Sequence, residues 1–192
     1  MSKAPIEFFF DFASPYAYFA AQGLEEIAAR HGRTVRWRPI LLWTVLRSLG
    51  LPPPMESKAK GDYMRLDMDR SARFHGRRFR FPTNFPTSAH LPARAFYWLE
   101  AQDPEAAKAF ARKAFTAFFV DDIDFKDAAA VAGIGVDETA LKDEAATQAL
   151  RAAGLEAESR GVYGSPFIFV DGEPFFGADR LPQIEWRLAT AP

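Results

Sequence analysis

The sequence predicts an α/β domain with the element order β-α-β … β-β-α and a large all-helical insertion between the second and third strands. Aromatic-rich strand patterns lie near the two ends of the chain, at 6–10 and 166–170. The stretch from about residue 41 to residue 161 has no convincing strand pattern and is rich in alanine. Because this stretch separates two halves of one sheet, we expect it to fold as a helical lobe.

The first strand and helix follow from the segment that begins at Ile6. Residues 6–10 read Ile-Glu-Phe-Phe-Phe, an apolar run typical of a buried central strand. Ser14 followed by Pro15 indicates a helix N-cap with proline at the first helical position. A strand that leads into a capped helix places a polar side chain beside free backbone N–H groups. Proteins hold anions or thiolates at such points.

A second strand is predicted at 34–40, where apolar and charged residues alternate. This alternation is typical of a strand that is half exposed or near a sheet edge. The helix between the two strands suits parallel pairing through a right-handed crossover.

The central stretch is predicted to be mainly helical. A loop at 81–92 interrupts it, and we expect Gly154 to break or kink the last helical segment. Residues 41–49 are predicted to form a short helix or turn, and the other predicted helices span 58–75, 92–101, 104–119, 128–132, 137–146 and 147–160.

The strands return after Gly161. A compact run at 166–170 is followed by Asp171-Gly172, a hairpin signal, and a return strand at 173–177. Asp179 is the expected N-cap of a final helix. The chain therefore divides into a discontinuous domain, 1–41 with 161–192, and a helical insertion domain, 42–160. The predicted core consists of Phe8, Phe10, Leu24, Ile27, Val35, Trp37, Ile168, Val170 and Phe176.

Composition describes an ordinary globular protein. The 192 residues are 48% hydrophobic with a formal net charge of −1, so overall charge favours neither nucleic acid nor an anionic membrane as a partner. There is no cysteine, which excludes disulfides, thiolate metal sites and protein-borne thiol redox chemistry. The first residues carry no apolar signal pattern, and we expect a cytoplasmic protein that binds no metal.

The element order, with a proline that opens the third strand, resembles the thioredoxin-like fold, and the helical insertion resembles its DsbA-like branch. Redox members of that branch carry Cys-x-x-Cys at the start of the first helix, where this chain reads Ser14-Pro15-Tyr16-Ala17. Four segments together resemble 2-hydroxychromene-2-carboxylate isomerases and the related kappa-class glutathione transferases. They are residues 10–16 (FDFASPY), 60–64 (KGDYM), 164–166 (GSP) and 176–180 (FGADR).

The resemblance implies glutathione as the cofactor, which would supply the sulfur that the chain lacks. Ser14 would be the catalytic residue, since its hydroxyl would donate to the glutathione sulfur and favour the thiolate. A free thiol has a pKa of about 8.5. One hydrogen bond to a charged acceptor can lower it by the unit or two needed at neutral pH, at about 1.4 kcal/mol per unit.

The resemblance also implies the other glutathione contacts. The Ser165-Pro166 bond would be cis, with an exposed backbone that pairs with the cysteinyl part. Asp179, with the Ala178 backbone beside it, would bind the γ-glutamyl ammonium, and Lys60 would reach the glycine end. The implied cofactor-binding residues are Ser14, Lys60, Ser165, Pro166, Ala178 and Asp179.

For the isomerase, the resemblance implies reversible thiolate addition to an aromatic 2-oxo acid, rotation about the resulting single bond, and elimination. Phe12, Trp43 and Tyr63 are candidate rings for the substrate cleft. Leu51 stands where the family often has asparagine, which removes one polar contact from the glutathione site. A homodimer is expected from the family.

Other functions stay open at this point. A kappa-type transferase would use the same site, and a chain without cysteine could also be a non-catalytic thioredoxin-like binding protein. Taken alone, Ser14 is most simply a helix cap. A serine hydrolase is disfavoured because His31, His75 and His90 form no recognisable triad signature.

Overall fold

The structure, a computed structural model, describes residues 4–190. Residues 1–3 and 191–192, which the sequence analysis assigned to the discontinuous domain, lie outside this range. The strands are β1 (Ile6–Phe10), β2 (Val35–Pro39), β3 (Phe167–Val170) and β4 (Glu173–Phe176). The helices are α1 (Pro15–Arg30), α2 (Leu42–Ser48), α3 (Lys58–Phe74), α4 (His90–Glu100), α5 (Pro104–Phe119), α6 (Ala128–Ala132), α7 (Glu144–Ser159) and α8 (Leu181–Thr190). Short 3-10 turns span Glu138–Lys142 and Ala178–Arg180.

The four strands form one mixed sheet in the order β2-β1-β3-β4. β1 is central: Phe8 pairs with Trp37 of the parallel strand β2 and with Ile168 of the antiparallel strand β3. β3 and β4 form the hairpin predicted from Asp171-Gly172. All the helices from α2 to α7 lie between β2 and β3 in the chain. The predicted fold class is therefore confirmed.

β2 lies at the sheet edge, as predicted, but it is not half exposed. Of its five residues only Arg36 is exposed. The other charged residue, Arg38, is buried because its guanidinium pairs with Glu156 of α7. The alternation of apolar and charged residues thus indicated the sheet edge correctly. It did not indicate that Arg38 would be buried in an ion pair.

One face of the sheet packs against helices of the insertion through aromatic rings. Phe10 stacks on Phe8 at 4.8 Å and meets Trp37 edge-on at 5.4 Å. Phe115 of α5 and Phe96 of α4 approach the Phe10 ring at 5.5 and 6.3 Å. Aromatic pairs at these separations add to the stability that burial provides.

On the opposite face, charged groups attach the end of α7 to the sheet. The Arg160 guanidinium donates to both carboxylate oxygens of Glu7 at 2.9 Å. It also lies 3.8 Å from the ring centroid of Phe169. A bidentate ion pair over an aromatic ring is a geometry that arginine is well suited to form.

Phe176, predicted as core, is 45% exposed. It lies on the edge strand β4, where no further strand covers it. Its ring lies over Gly164, so close that a Cβ at Gly164 would be 2.0 Å from the ring atom Cε2. The other eight predicted core residues are buried.

Two details of the insertion differ from prediction. The predicted helix at 137–146 is a 3-10 turn followed by the first residues of α7, because Asp143 caps α7 by accepting the Ala146 N–H at 2.7 Å. Gly154 lies inside α7, which continues through it without a break. Within residues 4–190, no helix is long and apolar enough to cross a membrane.

Candidate functional site

Ser14 caps α1, as the sequence predicts. Its Oγ accepts the Ala17 N–H at 3.3 Å, and its own N–H donates to the Asp11 carbonyl at 2.9 Å. The Ser14 hydroxyl proton goes elsewhere: it is donated to the Ser165 carbonyl oxygen, 2.8 Å away. The hydroxyl group therefore lies at the positive end of the α1 dipole.

Ser165 comes from the opposite end of the chain and completes the contact. The Ser165-Pro166 peptide bond is cis, as the resemblance implies. Ser165 is only 7% exposed, and its Oγ accepts the Asp11 N–H at 2.8 Å. The structure thus brings Ser14 and Ser165 together through two hydrogen bonds that involve the same loop.

Asp11 is central to this loop, and the sequence analysis gave it no role. Its carboxylate accepts the N–H of Ala13 at 2.8 Å and the N–H of Leu42, the first residue of α2, at 2.9 Å. Burial raises the pKa of Asp11 to about 6, although these two hydrogen bonds oppose the rise. The sequence signal for this role was an acidic residue directly after an apolar strand, because acidic side chains are rarely buried unless they are paired.

A second network, also missed, joins the first turn of α1 to α3. The Tyr16 hydroxyl donates to Asp67 at 2.8 Å, and the Arg70 guanidinium pairs with the same carboxylate. Burial works against ionisation of Asp67, but the hydrogen bonds from Arg70 and Tyr16 outweigh it and lower the pKa of Asp67. Arg70 also donates to the Tyr63 hydroxyl at 3.3 Å. This network fixes α3 beside the Ser14 end of α1.

The predicted site residues on the insertion differ in exposure. Lys60, in the first turn of α3, is exposed. Trp43 and Tyr63 are 54% and 59% exposed, so their rings are open to a ligand. Phe12 is completely buried against Phe115 and other core rings. It is therefore a core residue, and its expected place on the cleft surface is corrected.

The segment before α8 forms a 3-10 turn that is hydrogen-bonded to the cis-proline. The Gly177 N–H donates to the Pro166 carbonyl at 3.1 Å. Gly177 has a φ of 107°, and a Cβ there would lie 2.4 Å from Asp179 Oδ1, so glycine is required. Asp179 lies inside the turn and is not the N-cap of α8, which begins at Leu181. Its exposed carboxylate pairs with Arg180 at 2.7 Å, while Ala178 is buried.

Leu51 follows α2, and its side chain is exposed. Its N–H donates to the Leu46 carbonyl at 2.8 Å. Among the described residues, no group of three or more His, Asp or Glu side chains could hold a metal ion. The arrangement around Ser14 can instead stabilise an anion, through one hydroxyl and the start of a helix.

Two surface clefts lie apart from this arrangement. One, of about 360 Å³, lies between β2 and the α4–α5 region, and the other, of about 610 Å³, lies between α5 and α6. Neither is lined by Ser14, Ser165 or Asp11.

Comparison with known proteins gives a consistent result. The family model of the DsbA-like thioredoxin domain matches residues 5–189. A 2-hydroxychromene-2-carboxylate isomerase from Sphingobium xenophagum is 32% identical over 94% of this chain and 95% of that protein. Glutathione s-transferase kappa 2 from Caenorhabditis elegans is 28% identical over 98% of this chain and 93% of that protein. A solved 2-hydroxychromene-2-carboxylate isomerase superposes with a TM-score of 0.81 at 31% identity, over 96% of this chain and 94% of that one.

Proposed function

We propose that this chain, which belongs to the DsbA-like thioredoxin family and within it to the 2-hydroxychromene-2-carboxylate isomerases, catalyses a glutathione-dependent cis/trans isomerisation of an aromatic 2-oxo acid. One observation carries the proposal. In a chain without cysteine, the serine at the start of α1 holds its hydroxyl 2.8 Å from the carbonyl that precedes the cis-proline. A hydroxyl at this point serves a sulfur that comes from outside the chain.

The residues present fit glutathione by their chemistry. Ser14 and the α1 N-terminus suit an anionic sulfur, and the Ser165-Pro166 backbone suits a peptide. The exposed Asp179 carboxylate and the Ala178 backbone suit an ammonium group, and the exposed Lys60 suits a carboxylate. When bound, glutathione would supply a thiolate able to add reversibly to a conjugated carbon.

Ser14 and the N-terminus of α1 can stabilise that thiolate enough to lower its pKa appreciably. A hydrogen bond to a charged acceptor contributes about 1.5–3 kcal/mol, and a helix N-terminus about 0.3–1 kcal/mol. Together they correspond to a lowering of the thiol pKa by about one to three units. The negative charge of Asp11 acts in the opposite direction, and its two backbone hydrogen bonds help to offset that effect.

The exposed rings of Trp43 and Tyr63 support an aromatic acid as the substrate. Tyr63 has the Arg70 guanidinium 3.3 Å from its hydroxyl. Together with the family, these rings lead us to propose 2-hydroxychromene-2-carboxylate, an intermediate of aromatic degradation, as the substrate type.

A kappa-class transferase, which would conjugate glutathione to electrophiles, is the second candidate. Leu51, which the resemblance places at the glutathione site, supports it, because an exposed leucine suits an uncharged electrophile better than a polar acid. The two activities differ in substrate and share the thiol site.

Calorimetric titration with glutathione tests the shared site, and an assay of each reaction separates the candidates. We expect wild-type protein to bind glutathione and to isomerise the chromene carboxylate faster than it conjugates a chlorodinitrobenzene electrophile. No heat at millimolar glutathione would refute both candidates. Conjugation alone would favour the transferase.

The assembly and location that the family suggests are part of the same proposal. We propose a cytoplasmic homodimer, which sedimentation of the purified protein and fractionation of cells would test. A monomer at micromolar concentration would contradict the proposed homodimer.

A further inference from the structure

The outer edge of β2 adjoins the surface cleft of about 360 Å³. Val35 and Trp37 of β2 line this cleft, which we call the β2 cleft, together with Phe96 and Glu100 of α4 and residues at the start of α5. The β2 cleft does not include Ser14. A ligand bound there would therefore serve a role beyond the proposed function.

The register of the sheet turns the main chain of Val35 and Trp37 away from β1. The Thr34 carbonyl accepts the Ile6 N–H at 2.8 Å, so residue 34 faces β1. Alternate residues of a strand direct their main-chain groups to the same neighbour. Residues 34, 36 and 38 therefore pair with β1, and the odd-numbered residues point their N–H and C=O groups to the free edge.

These outward groups are used at one end of β2 only. The Pro39 carbonyl accepts the Tyr97 hydroxyl at 2.8 Å. Within residues 4–190, the outward N–H and C=O groups of Val35 and Trp37 have no hydrogen bond to another protein group. The two residues are only 4% and 1% exposed. Buried main-chain groups without partners are rare because each costs about as much as a lost hydrogen bond, so this edge is suited to a ligand with main-chain groups of its own.

A slender extended peptide fits this edge better than a second copy of β2. Val35 and Trp37 are separated by about 7 Å along the strand, so a segment of three extended residues spans both. Such a segment offers N–H and C=O groups at the same spacing and can add to a sheet edge as a further strand. A second copy would present an edge that is equally recessed between β2, α4 and α5, and two recessed edges would not meet.

The charges beside the edge favour a basic side chain in that peptide. Glu100 is half-buried and forms no ion pair in the part of the chain that the structure describes. Burial raises the pKa of Glu100, although Arg36 and Arg38 act against the rise. Arg38 is already paired with a carboxylate of α7, and Lys108, also in the cleft, is paired with Glu105 at 2.9 Å. A cation brought by the peptide would supply the partner that Glu100 lacks.

We propose that the β2 cleft binds a short extended peptide segment of a partner protein, which adds to the sheet beside β2 and carries a lysine or arginine next to Glu100. The main chain of the segment pairs with the outward groups of Val35 and Trp37 and supplies the affinity. The carboxylate of Glu100 supplies the selectivity for a basic side chain.

The test uses the blocked tripeptide acetyl-Val-Lys-Val-amide and the full-length, isotope-labelled protein, with main-chain amide signals recorded by NMR. We expect the amide signals of Val35 and Trp37 to shift and to saturate at millimolar peptide, while the signal of Ser14 stays in place. The same peptide methylated at each main-chain nitrogen cannot donate to the strand and should cause no saturable shift. A peptide with glutamate in place of lysine should bind about tenfold more weakly.

Two variants examine the role of charge. Glu100→Gln should bind the lysine and glutamate peptides with similar affinity. Glu158→Gln is the matched control, because Glu158 is also a half-buried glutamate near the end of a helix, α7, and forms no ion pair among the described residues. It should keep the preference of the wild-type protein for lysine.

The absence of a saturable shift at Val35 and Trp37 would overturn the proposal, and so would equal binding of the methylated peptide. A lysine preference that persists in Glu100→Gln would overturn the assignment of Glu100. If both amide signals instead move when the protein is diluted without peptide, the edge belongs to a second copy and the proposal is wrong. Glutathione binding is measured separately, so each of these results leaves the proposed function intact.

Discussion

Replacing Asp11 with asparagine should change how the stability of the protein depends on pH. Burial raises the pKa of Asp11 from 3.8 to about 6, with the N–H groups of Ala13 and Leu42 acting against the rise. Between about pH 4 and about pH 6, the native state therefore binds more protons than the unfolded state. The contribution of Asp11 to the free energy of unfolding therefore falls as pH rises through that window and is constant above it. A pKa change of about two corresponds to about 3 kcal/mol.

The measurement is urea denaturation of wild type and Asp11→Asn at a series of pH values. Asparagine cannot titrate, so the difference in unfolding free energy should move in favour of the variant by about 2 kcal/mol between pH 4 and pH 7, because the unfolded-state carboxyl is already partly ionised at pH 4. Comparing the two proteins at each pH removes the contribution of every other titrating group. A difference that is constant across this range, or that moves in favour of wild type, would refute the burial argument.

Asp137 provides a matched control of opposite sign. Its exposed carboxylate caps a 3-10 turn and accepts the Thr139 N–H at 2.8 Å, and hydrogen bonds from Thr139 lower its pKa. A carboxylate whose pKa is lowered in the native state stabilises the fold at pH values above its unfolded-state pKa. This stabilisation is lost as pH falls through its native-state pKa. The difference in unfolding free energy between wild type and Asp137→Asn should therefore move in favour of wild type as pH rises.

Three further substitutions, two of them with a control variant, test the site and its supports. Ser14→Ala should reduce turnover by about a hundredfold or more, with a circular-dichroism spectrum unchanged from wild type, while Ser159→Ala should leave turnover intact. Tyr16→Phe removes the hydrogen bond to the α3 carboxylate and should lower the unfolding free energy in urea by about 0.5–1.5 kcal/mol; no change would mean that the bond is not formed in solution. Gly164→Ala should lower the melting temperature because its Cβ would meet an aromatic ring at 2.0 Å. Gly154→Ala, with open space around it in α7, should raise stability by about 0.5–1 kcal/mol.

The sequence was sufficient for features that depend on neighbouring residues. Ser14-Pro15 indicates a helix start because capping is a contact between residues three apart. The cis bond before Pro166 followed from resemblance, since an isolated X–Pro bond is cis in only about 5% of cases. Both features were found where they were expected.

Features that depend on distant residues could not be predicted in this way. The hydrogen bond from Leu42 to Asp11 crosses from the insertion to the first loop, and no local pattern indicates it. The position of Phe176 in its strand pattern is that of a core residue. It is exposed because β4 lies at the sheet edge, which the local sequence does not indicate. Phe12 lies next to the site in sequence, but the rings of the insertion bury it.

The helical insertion is fastened to the sheet domain at both of its ends. Its first helix begins with an N–H that donates to Asp11, and its last helix is followed by Arg160, whose guanidinium donates to both carboxylate oxygens of Glu7. For chimaeras between relatives, this arrangement sets where the junctions belong. Crossovers placed after Leu42 and before Glu156 would exchange the interior helices and keep both fastenings native. Crossovers at 41/42 and 160/161 would instead replace Leu42 and Arg160, the two residues of the insertion that contact Asp11 and Glu7.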